Sequence, residues 1–231
     1  MKIKGLQKIT LIDYPEKIAS TIFLFGCNFN CGFCHNPELV LKENKTNISE
    51  KETIDFLIKR KKQLEGVCIT GGEPLLSLNL NFLKKIKKLG YLIKIDTNGS
   101  FPEKIKEVTH LVDYIAMDIK SSKENYQKVT NSKVDLENIE KSIKLISNLE
   151  YYEFRTTIIQ DIHTQEEMIK IAKWLNSITR KKPKKYCLQP FKNQGKFIDI
   201  KFKTKKDTSK EYLNKLKETI KPYFENIEII A

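Results

Sequence analysis

The sequence predicts an α/β protein with a parallel sheet, and three observations lead to this fold class. Short apolar segments rich in β-branched and aromatic residues alternate with longer segments whose apolar residues recur at helical spacing. The alternation occurs in units of roughly 25–40 residues, as parallel strands joined by crossover helices require. No proline-, glycine- or serine-rich linker interrupts it. The residues alone leave an open doubly wound sheet and a curved partial barrel both possible.

The predicted strands are short apolar runs with the length and composition of buried strands. The first, IASTIFLF, and the second, GVCIT, are the clearest, because β-branched and aromatic residues dominate them. The predicted strands are 18–25, 66–70, 91–96, 112–117, 152–159 and 186–191.

The predicted helices lie between these strands and carry apolar residues on one face. Ser49 is a typical helix N-cap, and Gly90 is a typical residue for ending a helix. The predicted helices are 49–64, 78–89, a short one after Pro102, 136–149 and 164–178. After Phe191 we expect one more helix at 209–220, ended by Pro222, and a short strand at 227–230.

The length of 231 residues, with 40% hydrophobic and 31% charged residues, favours one globular domain. We predict a single domain over 1–231, with a core at about 16–191 and a C-terminal extension over 192–231. No apolar segment approaches the ~20 residues of a membrane span, and the first residues contain no secretory signal. The expected compartment is therefore the cytoplasm, where thiols stay reduced.

The net charge of +13 comes almost entirely from lysine, since only three of the 42 basic residues are arginine. The lysines are scattered along the chain, which is typical of solvated helix faces and loops. An acidic partner is an alternative reason for this charge. The scattered lysines do not favour nucleic-acid binding, which usually concentrates Lys and Arg in one patch with aromatic residues.

Three of the five cysteines follow the first predicted strand with the spacing C-x₃-C-x₂-C: Cys27, Cys31 and Cys34. Three thiolates can bind three irons of a four-iron cluster and leave the fourth iron open to a substrate. Zinc held by these cysteines and His35, a covalent haem at Cys-x-x-Cys-His, and unligated buried thiols are the alternatives. Cys68 and Cys187 are expected to be buried small apolar residues.

Several further motifs accompany this loop and give the chain a family resemblance. They are Leu11-Ile12-Asp13-Tyr14-Pro15, Cys34-His35-Asn36-Pro37, Thr70-Gly71-Gly72-Glu73-Pro74, Asp96-Thr97-Asn98-Gly99 and Asp118-Ile119-Lys120. Together with the cysteine spacing they resemble the radical S-adenosylmethionine (SAM) superfamily. Within it they are similar to glycyl-radical-enzyme activating enzymes, above all those of anaerobic ribonucleoside-triphosphate reductase. The resemblance extends from about Gly5 to about Phe191.

This resemblance implies a partial (βα)6 barrel with parallel strands, followed by a short C-terminal helix and strand. It implies a [4Fe–4S] cluster on Cys27, Cys31 and Cys34, with SAM chelating the open iron. One electron, from flavodoxin or ferredoxin, then cleaves SAM to methionine and a 5′-deoxyadenosyl radical. In an activating enzyme that radical abstracts hydrogen from a glycine of a partner glycyl-radical enzyme. No protein nucleophile is implied.

The resemblance also implies a set of residues around SAM. They are Phe33, His35, Asn36, Gly71, Gly72, Glu73, Asp96, Asn98, Asp118, Lys120, Arg155 and Gln189.

The residue types suit such contacts. The two glycines would let a ligand approach the backbone, and Glu73 could accept hydrogen bonds from the SAM ammonium. Asp118 and Lys120 share a strand face and could hold the ribose and carboxylate, and Arg155 should contact SAM or Asp118. A solvated Glu73, an ordinary turn at Asn98 and a surface ion pair are the alternatives.

Two other functions remain open from the sequence. One is a radical SAM enzyme that acts on a small molecule, as a deazaguanine-type synthase does. The other is a non-catalytic zinc or iron–sulfur module that binds nucleic acid through the positive charge.

Overall fold

The computed structural model describes residues 1–41 and 48–230. Within these ranges the chain forms eight strands and seven α-helices. The strands are β1 (Ile3–Thr10), β2 (Ala19–Leu24), β3 (Gly66–Gly71), β4 (Leu92–Thr97), β5 (Tyr114–Asp118), β6 (Tyr152–Ile158), β7 (Lys185–Pro190) and β8 (Asn226–Ile229). The helices are α1 (Glu50–Arg60), α2 (Leu80–Lys88), α3 (Pro102–Val108), α4 (Tyr126–Thr130), α5 (Leu136–Ile146), α6 (Gln165–Thr179) and α7 (Lys210–Ile220). Every predicted strand and helix is present, and no end differs from the predicted one by more than four residues.

Two elements, β1 and α4, lie where the sequence predicts none. β1 carries Lys4 and Lys8 and is antiparallel to β2, with Leu6 opposite Ile22. Its structure depends on hydrogen bonds to β2 more than on an apolar pattern of its own. α4 is too short to show helical periodicity, and it ends at Asn131 in the left-handed conformation, with φ of 48°.

The chain forms two compact units, which are described separately. The N-terminal unit comprises Met1–Asn28, Asn36–Thr97 and Glu103–Ile115. The C-terminal unit comprises Phe29–His35, Asn98–Pro102 and Ala116–Ala231. One domain over 1–231 stays a prediction.

In the N-terminal unit, β2, β3 and β4 pair in parallel and in chain order. β5 begins beside β4, where the amide of Asp113 donates to the carbonyl of Ile93 at 2.8 Å. Ile22, Leu24 and Ile69 of the central strands are fully buried, as in a parallel sheet covered on both faces. The predicted parallel α/β arrangement is therefore confirmed here.

The ends of α1 and α2 agree with the caps expected from the sequence. Ser49 Oγ accepts a hydrogen bond from the Glu52 amide at 3.1 Å, and the Glu52 carboxylate accepts one from the Ser49 amide at 2.8 Å. This reciprocal pair is a capping box. Gly90 follows α2 with φ of +79°, a left-handed conformation that favours glycine.

In the C-terminal unit, β6, β7 and β8 pair in parallel and in chain order. The end of β5 lies beside β6, where the amide of Ile119 donates to the carbonyl of Arg155 at 2.8 Å. Ile143 of α5, Leu175 of α6 and Leu216 of α7 are fully buried. The extension after Phe191 thus contributes both a helix and a strand. Among the described helices, none has the length and apolar character needed to cross a bilayer.

The end of β3 lies against the backbone that continues from β2. A Cβ atom on Gly71, whose φ is +124°, would lie 2.3 Å from the Leu24 carbonyl oxygen. A Cβ atom on Gly72 would lie 2.1 Å from the Gly26 carbonyl oxygen. These glycines are therefore needed for a close approach of the chain to itself, whereas their approach to a ligand stays a prediction.

A buried carboxylate links α6 to the segment after β5. Glu167 is 5% exposed and accepts hydrogen bonds from Ser121 Oγ at 2.5 Å, the Ser122 amide at 2.7 Å and Asn125 Nδ2 at 2.8 Å. Burial by itself raises the pKa of Glu167, but these hydrogen bonds lower it further than burial raises it. The carboxylate is therefore stabilised in its charged form.

We expect Gly72→Ala to lower the free energy of unfolding by about 3 kcal/mol. The added methyl group would overlap the Gly26 carbonyl, which cannot move without disturbing its 2.7 Å hydrogen bond from the Glu73 amide. Chemical denaturation measures the loss. Gly5→Ala is the control, because its added Cβ would meet only the Phe23 side chain, at 3.3 Å. Equal losses in both variants would contradict this account of β3.

We expect Glu167→Gln to destabilise the protein by about 2 kcal/mol at pH 7, since it removes a charged hydrogen-bond acceptor. The folded-state pKa lies below the unfolded value of 4.5, so the carboxylate stabilises fully above that pH. This contribution disappears as the pH falls through the folded-state pKa. Denaturation curves recorded between pH 3 and 7 measure the difference in the free energy of unfolding between wild type and variant. Each unit by which the pKa differs between the folded and unfolded states corresponds to about 1.4 kcal/mol.

The exposed neighbour Glu166 supplies the matched control for this experiment. Glu166→Gln should change stability by less than about 0.5 kcal/mol. A difference between wild type and Glu167→Gln that stays constant with pH would argue against a stabilising charge at Glu167.

Candidate functional site

The cysteine loop predicted from the sequence is divided between the two units. In the N-terminal unit, Cys27 follows Gly26, whose φ is +101° and whose amide donates to the Leu39 carbonyl at 2.8 Å. The Gly26 carbonyl accepts from the Glu73 amide at 2.7 Å. Hydrogen bonds on both sides of Gly26 therefore fix the backbone that leads into Cys27. Asn36 precedes a 3₁₀ turn at Pro37–Leu39 and makes no side-chain cap to it.

In the C-terminal unit, Cys31 and Cys34 lie in one turn, closed by a 3.0 Å hydrogen bond from the Cys34 amide to the Cys31 carbonyl. The preceding residue ties this turn to the end of α4. The Asn30 amide donates to Ser132 Oγ at 2.8 Å and to the Thr130 carbonyl at 3.2 Å. α4, which the sequence did not predict, thus supports the cysteine loop.

None of the five cysteines forms a disulfide, and Cys31 is the buried member of the loop. Burial raises the pKa of the Cys31 thiol to about 11; Lys120 opposes the rise, whereas Cys34 and Asp118 add to it. Metal binding displaces the proton from such a thiol. In the part of the chain that the structure describes, no three His, Cys, Asp or Glu side chains are grouped to hold a single metal ion. A four-iron cluster does not require such a group, because each thiolate binds a different iron.

The C-terminal extension lies against the cysteine loop. The Asp199 amide donates to the Gly32 carbonyl at 3.0 Å. A Cβ atom on Gly32 would lie 2.7 Å from the Phe202 ring, and Phe33 packs against the same ring with centroids 5.9 Å apart. Gly32 is therefore required by the approach of an aromatic side chain from the extension.

His35 lies among aromatic rings of the same unit. Its ring centroid is 5.2 Å from that of Phe197 and 5.6 Å from that of Phe191. Burial lowers the pKa of His35, so the ring is favoured in its neutral form. The sequence analysis missed Phe197 and Phe202, because aromatic residues in a lysine-rich segment give no periodic signal.

Asp118 in the C-terminal unit lies between two cations. Lys120 Nζ is 2.7 Å from one carboxylate oxygen, and Arg155 Nε is 2.5 Å from the other. Asp118 is thus one of the two contacts predicted for Arg155. Side-chain exposure is only 16% for each cation and 24% for Asp118. The three groups carry a net charge of +1, which suits an anionic ligand group.

The charges of this group stabilise one another. Burial by itself would raise the pKa of Asp118, but Arg155 and Lys120 hold it well below its usual range. Burial would likewise lower the pKa of Lys120, but Asp118 and then Cys31 raise it above its usual value. All three groups are therefore charged at neutral pH.

Two predicted residues of the N-terminal unit have partners within the protein. The fully buried carboxylate of Glu73 accepts from the Leu75 amide at 3.0 Å and from Thr97 Oγ1 at 2.9 Å. It is therefore no solvated carboxylate. Asp96 forms an ion pair with Lys94, which is 2% exposed. A lysine within a predicted buried strand was the signal for this pair, and the sequence analysis did not use it.

Two predicted residues of the C-terminal unit accept hydrogen bonds from side chains or backbone of the same unit. Asn98 Oδ1 accepts from the Ser100 amide at 3.0 Å and from Ser100 Oγ at 2.5 Å, the geometry of an Asx turn. Gln189 Oε1 accepts from Thr157 Oγ1 at 3.4 Å. Contacts of either residue with SAM stay predictions.

The sequence matches a known family and several known proteins. Residues 21–175 match the model of the radical SAM superfamily. A Methanocaldococcus jannaschii protein, MJ1227, is 33% identical over 98% of this chain and 95% of its own length. Its name assigns it provisionally to the glycyl-radical enzyme activating enzymes. The pyruvate formate-lyase-activating enzyme of Listeria monocytogenes is 30% identical over 56% of this chain and 57% of its own length.

The fold also has a counterpart among solved structures. The crystal structure of QueE from Escherichia coli aligns with a TM-score of 0.62, over 100% of this chain and 94% of that one, at 16% identity. That likeness confirms the predicted fold class. The family match covers most of the chain, and the relative from M. jannaschii extends over nearly all of it. The chain therefore belongs to the radical SAM superfamily.

Proposed function

We propose that this protein is a glycyl-radical enzyme activating enzyme that cleaves SAM at a [4Fe–4S] cluster. The observation that carries the proposal is the cysteine loop, in which the buried Cys31 interacts electrostatically with Lys120 and Asp118, the pair that Arg155 completes. Similarity to an activating enzyme over 98% of the chain supports the reaction class.

The thiols fit the proposed cluster. Cys27, Cys31 and Cys34 form no disulfide, and soft thiolate ligands suit iron–sulfur clusters. When bound, the cluster and SAM supply the chemistry: one electron divides SAM into methionine and a 5′-deoxyadenosyl radical, which takes a hydrogen atom from a glycine of the partner. The protein's own residues bind and orient these groups and limit the access of water.

The charged group in the C-terminal unit suits two parts of SAM, its carboxylate and its ribose. Its net charge of +1 suits the SAM carboxylate, and Lys120 has three N–H donors, of which Asp118 takes one. Asp118, held in its charged form, can accept hydrogen bonds from ribose hydroxyls. We assign Lys120 to the carboxylate and Asp118 to the ribose, with Arg155 as the partner that keeps Asp118 charged.

The partner is a glycyl-radical enzyme, and flavodoxin or ferredoxin supplies the electron. We place the protein in the cytoplasm, where free thiols stay reduced. Anaerobic ribonucleotide reductase is the partner that the sequence motifs favour.

We expect Cys31→Ala to abolish cluster binding and SAM cleavage, since two thiolates remain for a site that needs three. Wild type and variant are reconstituted anaerobically with iron and sulfide, then reduced with dithionite. Bound iron and 5′-deoxyadenosine formed from added SAM are measured. Cys187→Ala is the matched control, because it removes a buried thiol of the same unit outside the loop and should keep both properties. Full iron content in Cys31→Ala would overturn the assignment.

Transfer to a protein is tested by adding glycyl-radical enzymes from the same organism to the reduced, SAM-loaded wild type. We expect the doublet of a glycyl radical in the electron paramagnetic resonance spectrum of one of them. Cleavage of SAM without a doublet in any of them would contradict the activating role and favour a small-molecule substrate.

A further inference from the structure

The segment after β5, which carries Lys120, is held by hydrogen bonds from α6 and from the turn between β6 and α6. Glu167, at the start of α6, binds Ser121, Ser122 and Asn125, as described above. Lys120 itself is held at its backbone, because its carbonyl oxygen lies 3.0 Å from His163 Nε2.

The hydrogen bonds of His163 define which ring nitrogen carries the proton. The Ile159 amide donates to His163 Nδ1 at 3.0 Å, so Nδ1 is an acceptor. Nε2 must then carry the proton and donate it to the Lys120 carbonyl. Burial lowers the pKa of this fully buried ring, in keeping with a neutral imidazole. Both ring nitrogens are thus occupied by backbone partners.

The C-terminal extension fixes the same turn from its other side. Tyr212 of α7 places its hydroxyl 3.0 Å from the His163 carbonyl and 3.3 Å from the Gln160 carbonyl. Thr208 Oγ1 donates to the Ile158 carbonyl at 2.5 Å. A continuous path of hydrogen bonds therefore leads from Tyr212 through the backbone and ring of His163 to Lys120.

We infer that His163 is a positioning residue for Lys120 and that Tyr212 supports it from the C-terminal extension. The inference rests on the proposed function, which assigns Lys120 to the SAM carboxylate. Lys120 is restrained twice, at its ammonium by Asp118 at 2.7 Å and at its carbonyl by His163 at 3.0 Å. A side chain restrained in this way loses less conformational freedom when it binds a ligand, which strengthens binding.

Two substitutions separate this role from simple packing. His163→Gln places an amide N–H near the position of Nε2 and can still donate to the Lys120 carbonyl. His163→Asn places an amide oxygen near the position of Nδ1, where it can still accept from Ile159, but it no longer reaches Lys120. Both variants replace the ring with an amide, so a purely structural role predicts similar defects in both.

The SAM dissociation constant is measured by calorimetry on cluster-loaded, oxidised protein. The KM and kcat for 5′-deoxyadenosine formation are measured on reduced protein. We expect His163→Asn to raise the dissociation constant and the KM about five- to tenfold, as the loss of one hydrogen bond implies. The kcat and the iron content should stay near wild type. His163→Gln should bind SAM within about twofold of wild type, a difference well under 1.4 kcal/mol. Equal SAM affinity of the two variants, whether normal or impaired, would overturn the inference.

Tyr212→Phe removes the hydroxyl that binds the His163 carbonyl. It tests the same inference if the histidine variants do not fold. It should raise the SAM dissociation constant, whereas Tyr223→Phe, which removes a hydroxyl elsewhere in the extension, should not. The same affinity in both tyrosine variants contradicts the role of Tyr212.

The outcomes for the inference and for the proposed function differ. Wild-type protein that neither binds nor cleaves SAM overturns the proposed function, and this inference with it. Wild-type protein that does both, together with His163→Asn that binds SAM as well as His163→Gln, overturns the inference alone.

Discussion

The charge of the half-buried Asp118 is the constraint on which the candidate site in the C-terminal unit depends. An isolated carboxylate in this position would be costly, and Arg155 from β6 and Lys120 from the end of β5 compensate it. Loss of one cation would leave Asp118 with the other as its ion-pair partner, whereas loss of both would leave an uncompensated charge, which is strongly destabilising. The pairing therefore ties the chemistry of the site to the alignment of β5 with β6, where the Ile119 amide binds the Arg155 carbonyl.

The residues around this group show how its geometry is maintained. Glu167 holds the segment after β5 by three hydrogen bonds, and His163 holds the carbonyl of Lys120. The C-terminal extension contributes at two places. It places Tyr212 behind the turn that carries His163, and it packs Phe202 against the cysteine loop at Gly32. The extension is thus part of the framework that supports the proposed site.

Sequence reasoning was most accurate where the signal is local. Buried strands such as β2 and β3 are continuous apolar runs, and the capping box at Ser49 lies within four residues, so both could be predicted. It failed for β1, whose strand structure depends on hydrogen bonds to β2. It also failed for the pair of Lys94 and Asp96, because a charge within an apolar strand indicates a partner without saying which one.

In the candidate site, too, some features could be predicted from the sequence and others could not. The cysteine spacing and the strand-end motifs indicated the chemistry, and the fold places Asp118, at the end of β5, beside Arg155 in the middle of β6. The sequence analysis expected Gly72 to allow the approach of a ligand, which stays a prediction; the close approach of the Gly26 carbonyl could not be foreseen from the sequence.

The sequence by itself determined the fold class, the three-thiol loop and the family resemblance, because apolar periodicity and short motifs depend on residues close together in the chain. Only the tertiary structure decided which groups compensate the buried charges and what holds Lys120. Those partners come from segments far apart in sequence: His163 lies 43 residues from Lys120, and Tyr212 another 49 residues from His163. Such pairs are selected by burial, since a polar group removed from water must find a partner wherever the folded chain places one.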